Sequence, residues 1–328
     1  MLQIFILLCS MITPLFSLGM EDKYPCKIAV AIIAYNRPEY LERCLKSIER
    51  NPESQSLPFY FFLDGGPDAT QDENHQLIAS SSIAHREIIL RPRNYGIIKN
   101  HFDAKRFLFD QCHYDKVIVI EEDVEFTSDY FAKLLSLDRW ARSTYDNIGS
   151  TQLWSECKLS RAEKCDSILN VKETKPFWSF VTYCIHKKAW NAISPYLYEY
   201  EKLFVDPLLD NPFMAKARSK PEYGPFKEAI WTWHQKILNS KLSPLFLDHE
   251  RCLPPKIVLP KVYYIYNQDM LTAYFLAKKG LIRLQTIVNH AKHIGENGFL
   301  GRLPKSDFMF NIEEIPLPQE PVEWVYRN

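Results

Sequence analysis

The chain has 328 residues, of which 46% are hydrophobic and 24% are charged, a composition typical of a globular protein with a substantial core. Forty Lys and Arg residues balance forty Asp and Glu residues. Because sequence-independent binding of nucleic acid needs a basic face, this balance disfavours a nucleic-acid partner.

The first nineteen residues carry no charged side chain. The apolar run from Leu2 to Leu8 and the small residues Ser17 and Gly19 indicate a secretory signal peptide cleaved before Met20. The run lacks the usual Lys or Arg before it, so an uncleaved anchor and a buried N-terminus are the alternatives. We therefore expect a protein of the secretory route, either secreted, periplasmic or in the lumen of the ER or Golgi. It would contact a membrane only if segment 1–19 is retained.

From Lys27 onwards, short apolar runs alternate with amphipathic stretches. Four runs predict strands: KIAVAIIAY (Lys27–Tyr35), FYFFLD (Phe59–Asp64), EIIL (Glu87–Leu90) and KVIVIEED (Lys116–Asp123). The alternation predicts an α/β fold, with a mostly parallel twisted sheet covered by helices on both faces. No GxGxxG follows the first strand, which disfavours a dinucleotide-binding fold. We expect one domain over residues 20–300 and an extended, Pro-rich tail over residues 301–328.

Polar clusters follow three of the predicted strands, at Tyr35-Asn36-Arg37, Asp64-Gly65-Gly66 and Glu121-Glu122-Asp123. Since ligands bind beyond the carboxyl ends of strands in such sheets, we expect the clusters to line one rim. Clustered carboxylates select a hard divalent cation, Mg²⁺ or Mn²⁺, and such a cation neutralises the charge that develops on a leaving diphosphate. The alternative is that the glutamates are a solvated pair attracted by the next helix.

The ordered set VAIIAYNRPEYLERCLKSI, FFLDGG, RPRNYGIIKN and VIVIEEDVEF resembles the GT-A fold glycosyltransferases, which use nucleotide-diphosphate sugars. Within that fold it is most similar to the family-2-like enzymes and to the N-acetylglucosaminyltransferases that act on mannose. In these proteins D-x-D or E-D-D ends the fourth strand and holds a divalent metal. Here the motif is E-E-D, so the central residue departs from the pattern. The resemblance covers roughly Ile28 to Phe126 well and the remainder in patches.

The resemblance implies a role for each matching residue. Asp123 would coordinate Mn²⁺ or Mg²⁺. The implied donor-binding residues are Ala34, Tyr35, Arg37, Asp64, Arg93, Asn94, Glu121 and Glu122. Among them, Asp64 would accept a hydrogen bond from the base, usually uracil, and Arg93 would face the diphosphate. The alternatives are that Arg37 belongs only to a helix cap and that Arg93 is a surface charge.

The same resemblance implies that His293, the first residue of HIGENG, is a further metal ligand. Imidazole is a good ligand for manganese-class ions, and the glycines would let the backbone approach a diphosphate closely. His290 is the alternative ligand if the register differs.

A transferase that inverts configuration also needs a general base to deprotonate the acceptor hydroxyl. On the helix predicted from Phe226, Glu228 lies opposite the apolar stripe and in the first turn, where the helix dipole favours its ionised form. The resemblance also implies an acid at the start of a comparable helix. A solvent-facing glutamate is the alternative, and the reserve candidates for the base are Asp206, Asp210 and Asp248.

The sequence thus predicts a metal-dependent glycosyltransferase. It would move a sugar from a nucleotide-sugar, preferably a UDP-sugar, to a hydroxyl of a glycan, protein or lipid acceptor, with inversion. One alternative is a nucleotidyltransferase on a similar sheet, although AYNRPEY lacks the Gly-rich, basic loop usual after the first strand. The other is a non-catalytic member of the scaffold that binds a sugar or a partner.

Overall fold

The structure is a computed structural model that describes residues 26–66, 69–155, 159–174, 180–206, 268–295, 314–315 and 323–327. The described strands are β1 (Ile28–Ala34), β2 (Pro58–Leu63), β3 (His85–Leu90), β4 (Lys116–Glu121), β5 (Val124–Phe126), β6 (Ile148–Gln152), β7 (Asn170–Glu173), β8 (Thr182–His186), β9 (Ile282–Thr286), β10 (Ala291–His293) and β11 (Val325–Tyr326). The described helices are α1 (Pro38–Glu49), α2 (Gln71–Ser80), α3 (Gly96–Arg106), α4 (Tyr130–Thr144), α5 (Arg161–Asp166), α6 (Lys187–Tyr200) and α7 (Gln268–Lys278).

Within these ranges, nine strands form one sheet in the order β11-β7-β9-β6-β8-β4-β1-β2-β3, and β5 pairs with β10 in a separate two-stranded sheet. The strands β4, β1, β2 and β3 are parallel neighbours. β8 runs antiparallel to β4 and β6, whereas β6 and β9 are again parallel. The predicted mostly parallel α/β sheet is therefore confirmed, with antiparallel strands in its second half.

Helices cover both faces of the sheet, as predicted. Ala31 on β1 belongs to a buried cluster with Phe102 of α3 and Trp190 of α6. Its neighbour Ile32 points to the other face and joins Leu41 of α1 in a second cluster. Successive side chains of a strand point to opposite faces, so a continuous apolar run is needed where both faces are covered. This explains why β1 contains no polar residue.

Two described stretches of the predicted tail, residues 314–315 and 323–327, contact the rest of the chain. Glu314 accepts hydrogen bonds from the backbone N–H (3.0 Å) and hydroxyl (2.9 Å) of Ser128, just before α4. Trp324 is 2% exposed, and β11 adds to the sheet beside β7. The Pro-rich composition predicts an extended segment, but it cannot show that Val325 and Tyr326 pair with the sheet edge.

Several predicted features lie outside the described residues: the signal segment 1–19, the helix that would carry Glu228, and most of residues 301–328. Among the helices that are described, none combines the length and apolarity needed to span a bilayer.

Candidate functional site

Parallel register brings the three polar clusters to one rim of the sheet. Ala34 of β1 lies beside Leu63 of β2, and Ile33 lies beside Glu121 of β4. The residues that follow these positions therefore leave the sheet at the same edge, the end of the strands at which ligands bind in α/β sheets. The expectation that the three polar clusters line one rim of the sheet is therefore confirmed.

Arg37 lies against the acids at the end of β4. Its Nε and Nη2 contact Glu122 Oε1 at 2.8 and 2.6 Å, and its Nη1 donates to Asp123 Oδ2 at 2.7 Å. It stands at the N-cap of α1 but makes no side-chain cap hydrogen bond. Two buried carboxylates thus hold the guanidinium, and the predicted role of Arg37 in donor binding stays a prediction. Burial opposes its charge, but these acids prevail and raise the pKa of Arg37.

Asp123 is 2% exposed, and its two carboxylate oxygens differ in their partners. Oδ2 contacts Arg37 and lies 3.2 Å from His293 Nε2, whereas the buried Oδ1 has no hydrogen-bond partner within the described part of the chain. Burial favours the neutral acid, yet His293 and then Arg37 together lower the pKa of Asp123. The carboxylate is therefore held ionised, with one oxygen still available to a ligand.

His293 reaches Asp123 because β10 pairs with β5. The register places His293 beside Val124, and the backbone N–H of Ile294 donates to the Asp123 carbonyl at 2.8 Å. Burial lowers the pKa of His293, but the Asp123 carboxylate outweighs it and raises the net value. The alternative residue, His290, is fully buried, and its Nδ1 lies 3.2 Å from Lys133 Nζ. His293 is thus the histidine that meets the acidic motif.

Glu122 is the acid of the motif whose pKa is raised. It is 4% exposed, and burial raises its pKa to about 7; Arg37 opposes this shift, while Asp123 and Glu121 add to it. Three neighbouring carboxylates cannot all ionise cheaply in a buried site. The described contacts of Glu122 make it the main partner of Arg37.

Glu121 turns away from this pair toward α3 and α7. Its Oε1 lies 3.1 Å from His101 Nε2 and accepts a 3.4 Å hydrogen bond from Gln268 Nε2. The next residue, Asp269, is in the first turn of α7. Burial and then the charge of Glu121 raise the pKa of Asp269 well above its usual value, while Lys105 opposes this. The fold therefore brings a second acid to the rim.

Asp269 is absent from the residues that the sequence predicted. Its signal is ordinary, an acid in the first turn of an apolar helix, and only the fold shows that α7 begins beside Glu121. Among the predicted bases, Glu228, Asp210 and Asp248 lie outside the described residues. Asp206 accepts from Lys99 Nζ at 2.8 Å.

Asp64 joins two loops of the rim. Its Oδ1 accepts backbone hydrogen bonds from Gly65 (2.9 Å) and Tyr95 (2.7 Å), and its Oδ2 accepts one from Gly96 (2.9 Å). A Cβ on Gly65 would lie 2.4 Å from the Arg91 carbonyl oxygen, so the loops pack backbone against backbone. Burial raises the pKa of Asp64, although the three N–H groups oppose the shift. Its predicted contact with a base stays a prediction.

The remaining donor-binding candidates differ in accessibility. Arg93 and Asn94 are exposed. The sequence does not single out Arg91. Its Cζ lies 5.2 Å from the ring centroid of Phe62 and 5.2 Å from that of Tyr95. Tyr35 is partly buried, and its carbonyl accepts a hydrogen bond from Asn74 (2.9 Å).

Ala34 is 1% exposed and packs in the core cluster that contains Leu41. Alternation along β1 turns this methyl group into the core, and the predicted role of Ala34 in donor binding stays a prediction. Its carbonyl accepts the Asp64 backbone N–H at 2.8 Å.

A second group of possible metal ligands lies at the opposite end of β4. One ligand atom from each of Asp138, Cys184 and His186 lies within 4.8 Å of the others, and all three residues are buried. However, Asp138 already contacts Lys116 Nζ and His186 Nε2, both at 2.7 Å. Arg142 donates to the other imidazole nitrogen of His186. Two cations therefore occupy the positions that a metal would need, and the group is a buried ion network.

Residues 29–176 match the family described as "Glycosyl transferase family 2". This stretch of the chain resembles a glycosyl transferase family 2 domain. Over 142 residues it is 27% identical to the alpha-1,3-mannosyl-glycoprotein 2-beta-N-acetylglucosaminyltransferase of Arabidopsis thaliana, covering 38% of this chain and 32% of that protein. The chain thus matches about a third of that relative's length. These matches agree with the resemblance to glycosyltransferases that the sequence predicted.

Solved structures resemble this chain more distantly. A mannosyltransferase from Pyrobaculum calidifontis in complex with GDP-Man and Mn²⁺ is 11% identical, with a TM-score of 0.41; the similarity covers 79% of this chain and 76% of that one. The galactosyltransferase LgtC, in complex with donor and acceptor sugar analogs, is 17% identical, with a TM-score of 0.33 and coverage of 54% and 66%. At these scores the similarity assigns neither a donor nor an acceptor.

The residues around Asp123 fit a divalent cation. A buried carboxylate oxygen without a hydrogen-bond partner stands beside an imidazole, and carboxylate with imidazole suits manganese-class ions. Gly295 passes so close that a Cβ there would lie 2.4 Å from Asp123 Oδ2. The backbone thus leaves the carboxylate uncovered by a side chain.

Proposed function

We propose that the protein is a metal-dependent glycosyltransferase that moves a sugar from a nucleotide-sugar, preferably a UDP-sugar, to an acceptor hydroxyl. The observation that carries the proposal is the unpartnered, buried Oδ1 of Asp123 at the end of β4. It lies at the rim where the loops after β1 and β2 also begin. The match to glycosyl transferase family 2 and the relative named as an N-acetylglucosaminyltransferase support this activity.

Asp123 and His293 would hold a divalent cation, Mn²⁺ or Mg²⁺. When bound, such a cation supplies positive charge that offsets the charge developing on the departing diphosphate. The loops on either side would bind the nucleotide. Tyr35 and the loop held by Asp64 stand where parallel strands end, the usual position for a nucleotide in an α/β sheet.

Asp269 is the described residue best placed to deprotonate the acceptor. It lies in the first turn of α7, and its neighbour Gln268 contacts Glu121 of the acidic motif. Burial and the charge of Glu121 raise the pKa of Asp269, which makes its ionised form a stronger base toward the acceptor hydroxyl. It would accept the proton of the acceptor hydroxyl, and the resulting oxygen nucleophile would attack the anomeric carbon from the side opposite the nucleotide, with inversion. Glu228 remains the sequence-based alternative.

The test is a panel of UDP- and GDP-sugars incubated with Mn²⁺, with product configuration read by NMR. We expect turnover of a UDP-sugar, its loss on chelation, and its loss in a folded Asp123→Asn variant. Release of pyrophosphate from a nucleoside triphosphate and a sugar phosphate would instead establish a nucleotidyltransferase. Binding of the sugar nucleotide without turnover, with every acceptor class tried, would establish a binding protein. Undiminished turnover after chelation would contradict the metal's role.

A further inference from the structure

The three contacts of the Arg37 guanidinium are divided unequally between Glu122 and Asp123. Two of its nitrogens contact Glu122 Oε1, at 2.8 and 2.6 Å, whereas one contacts Asp123 Oδ2, at 2.7 Å. The Arg37 side chain is 24% exposed, but the side chains of the two acids are 6% and 3% exposed. The guanidinium therefore covers the buried acids from the solvent side and can leave Asp123 while it stays anchored to Glu122.

The contact with Asp123 uses the carboxylate that the proposed cation would need. Asp123 Oδ2 is shared between Arg37 and His293, and Oδ1 has no partner. A guanidinium and a divalent cation on one carboxylate would be neighbours of like charge in a site where water screens them poorly. The two cations therefore compete for Asp123.

Without any cation, the acids would repel one another. Glu121, Glu122 and Asp123 are consecutive, and the last two are almost fully buried. Neighbouring buried carboxylates strongly disfavour joint ionisation. Arg37 places a compensating positive charge, supplied by the chain itself, against both buried acids before any ligand arrives.

We propose that Arg37 is the resident counter-ion of the acidic motif. It occupies Asp123 in the cation-free protein, yields this carboxylate to the divalent cation, and remains on Glu122. This inference rests on the cation site of the proposed function. In this arrangement Glu122, the residue that departs from the E-D-D pattern, is the anchor of Arg37, while Asp123 is the ligand.

The proposal predicts opposite effects of Arg37 on cation affinity and on stability of the cation-free protein. Removing the guanidinium removes a competitor, so Arg37→Gln should bind Mn²⁺ about tenfold more tightly. The same variant leaves the acids uncompensated and should unfold at a lower temperature when no cation is present. Added Mn²⁺ should then raise its Tm more than that of the wild-type protein.

The experiment is a Mn²⁺ titration of the full chain, in which free Mn²⁺ is measured by EPR, together with thermal unfolding in chelator and in saturating Mn²⁺. Arg37→Met, which retains the apolar stem, is the second variant in case Arg37→Gln does not fold. Arg43→Gln is the matched control. Arg43 lies on the same helix and contacts Glu125 at 2.8 Å, but it is more exposed, so its removal should leave Mn²⁺ affinity within about twofold of the wild type.

The outcomes separate the two proposals. Equal or weaker Mn²⁺ binding by the Arg37 variants, with binding still lost in Asp123→Asn, would overturn the counter-ion role and leave the proposed function standing. Mn²⁺ binding that is absent from the wild type, or unaffected by Asp123→Asn, would overturn the cation site and this inference with it. Tighter binding by an Arg37 variant together with wild-type affinity in Arg43→Gln would establish the role.

Discussion

Gly295 and Asp123 approach each other so closely that no side chain fits between them. A Cβ on Gly295 would lie 2.4 Å from Asp123 Oδ2 and 2.8 Å from His293 Cε1. Asp123 cannot easily turn aside, because Arg37 and His293 both hold it. The glycine therefore sets the distance between the chain that follows β10 and the carboxylate that follows β4.

Gly295→Ala should damage the site more than the fold. The added methyl group must displace the Asp123 carboxylate or the His293 ring, so we expect Mn²⁺ and donor binding to weaken at least about tenfold, with about 1–3 kcal/mol lost from the free energy of unfolding. Calorimetric titration and urea denaturation measure the two effects.

Gly280→Ala serves as the control for this substitution. Gly280 has φ +67° and nothing within 4 Å of an added Cβ, so alanine there should cost about 1–2 kcal/mol of backbone strain without affecting binding. Wild-type binding by Gly295→Ala would show that the carboxylate has room to move.

The rim could be predicted from sequence because it depends on local pattern and on a general rule. Apolar runs gave the strands, and the parallel order brought their polar ends together. The partner of Arg37 could not be predicted, since a side chain at a helix start can cap the helix, face solvent or reach a neighbouring strand. Asp269 was missed for another reason: the position of α7 beside Glu121 depends on how a distant part of the chain returns to the sheet.

Asp269→Asn should lower the rate of transfer but leave donor binding nearly intact. Loss of a general base typically costs about 10²–10⁴-fold in kcat, whereas the amide keeps the size of the side chain. Steady-state kinetics with a saturating acceptor, together with the Kd for UDP, distinguish these effects.

Glu39→Gln is the control for Asp269→Asn, because Glu39 is also an acid in a first helical turn but is exposed. It should retain wild-type kcat. Wild-type kcat in Asp269→Asn, combined with a large loss in Glu228→Gln, would assign the base to Glu228 instead.

Asp64→Asn should destabilise the protein even when no donor is present. The two oxygens of Asp64 accept three backbone N–H groups, and an amide would direct its own N–H₂ toward at least one of them. A buried donor left without an acceptor costs about 1–3 kcal/mol, measurable by urea denaturation. Unchanged stability with weakened donor binding would instead support the sequence-based role of Asp64 as a direct contact to the base.

Asp138→Asn tests whether the buried network at the opposite end of β4 is structural. Asp138 is fully buried and contacts Lys116 and His186. Breaking such a pair leaves an uncompensated buried cation, so the loss should be about 3–5 kcal/mol at pH 7. Glu42→Gln removes the exposed pair with Lys46 and should change stability by less than about 0.5 kcal/mol.

The same network predicts how stability depends on pH. Burial opposes ionisation of Asp138, but the hydrogen bond from His186 and the charge of Lys116 prevail and lower its pKa from 3.8 to about 2. The unfolded chain therefore binds this proton more tightly than the folded one. The stabilisation is complete above about pH 5, declines as the pH falls through 3.8, and is fully lost only below the folded pKa of about 2, a total effect of about 2–3 kcal/mol. Urea denaturation between pH 7 and 3 should show a steeper acid loss in the wild type than in Asp138→Asn, since the amide has no proton to bind. Parallel curves for the two proteins would mean that Asp138 does not titrate with a lowered pKa.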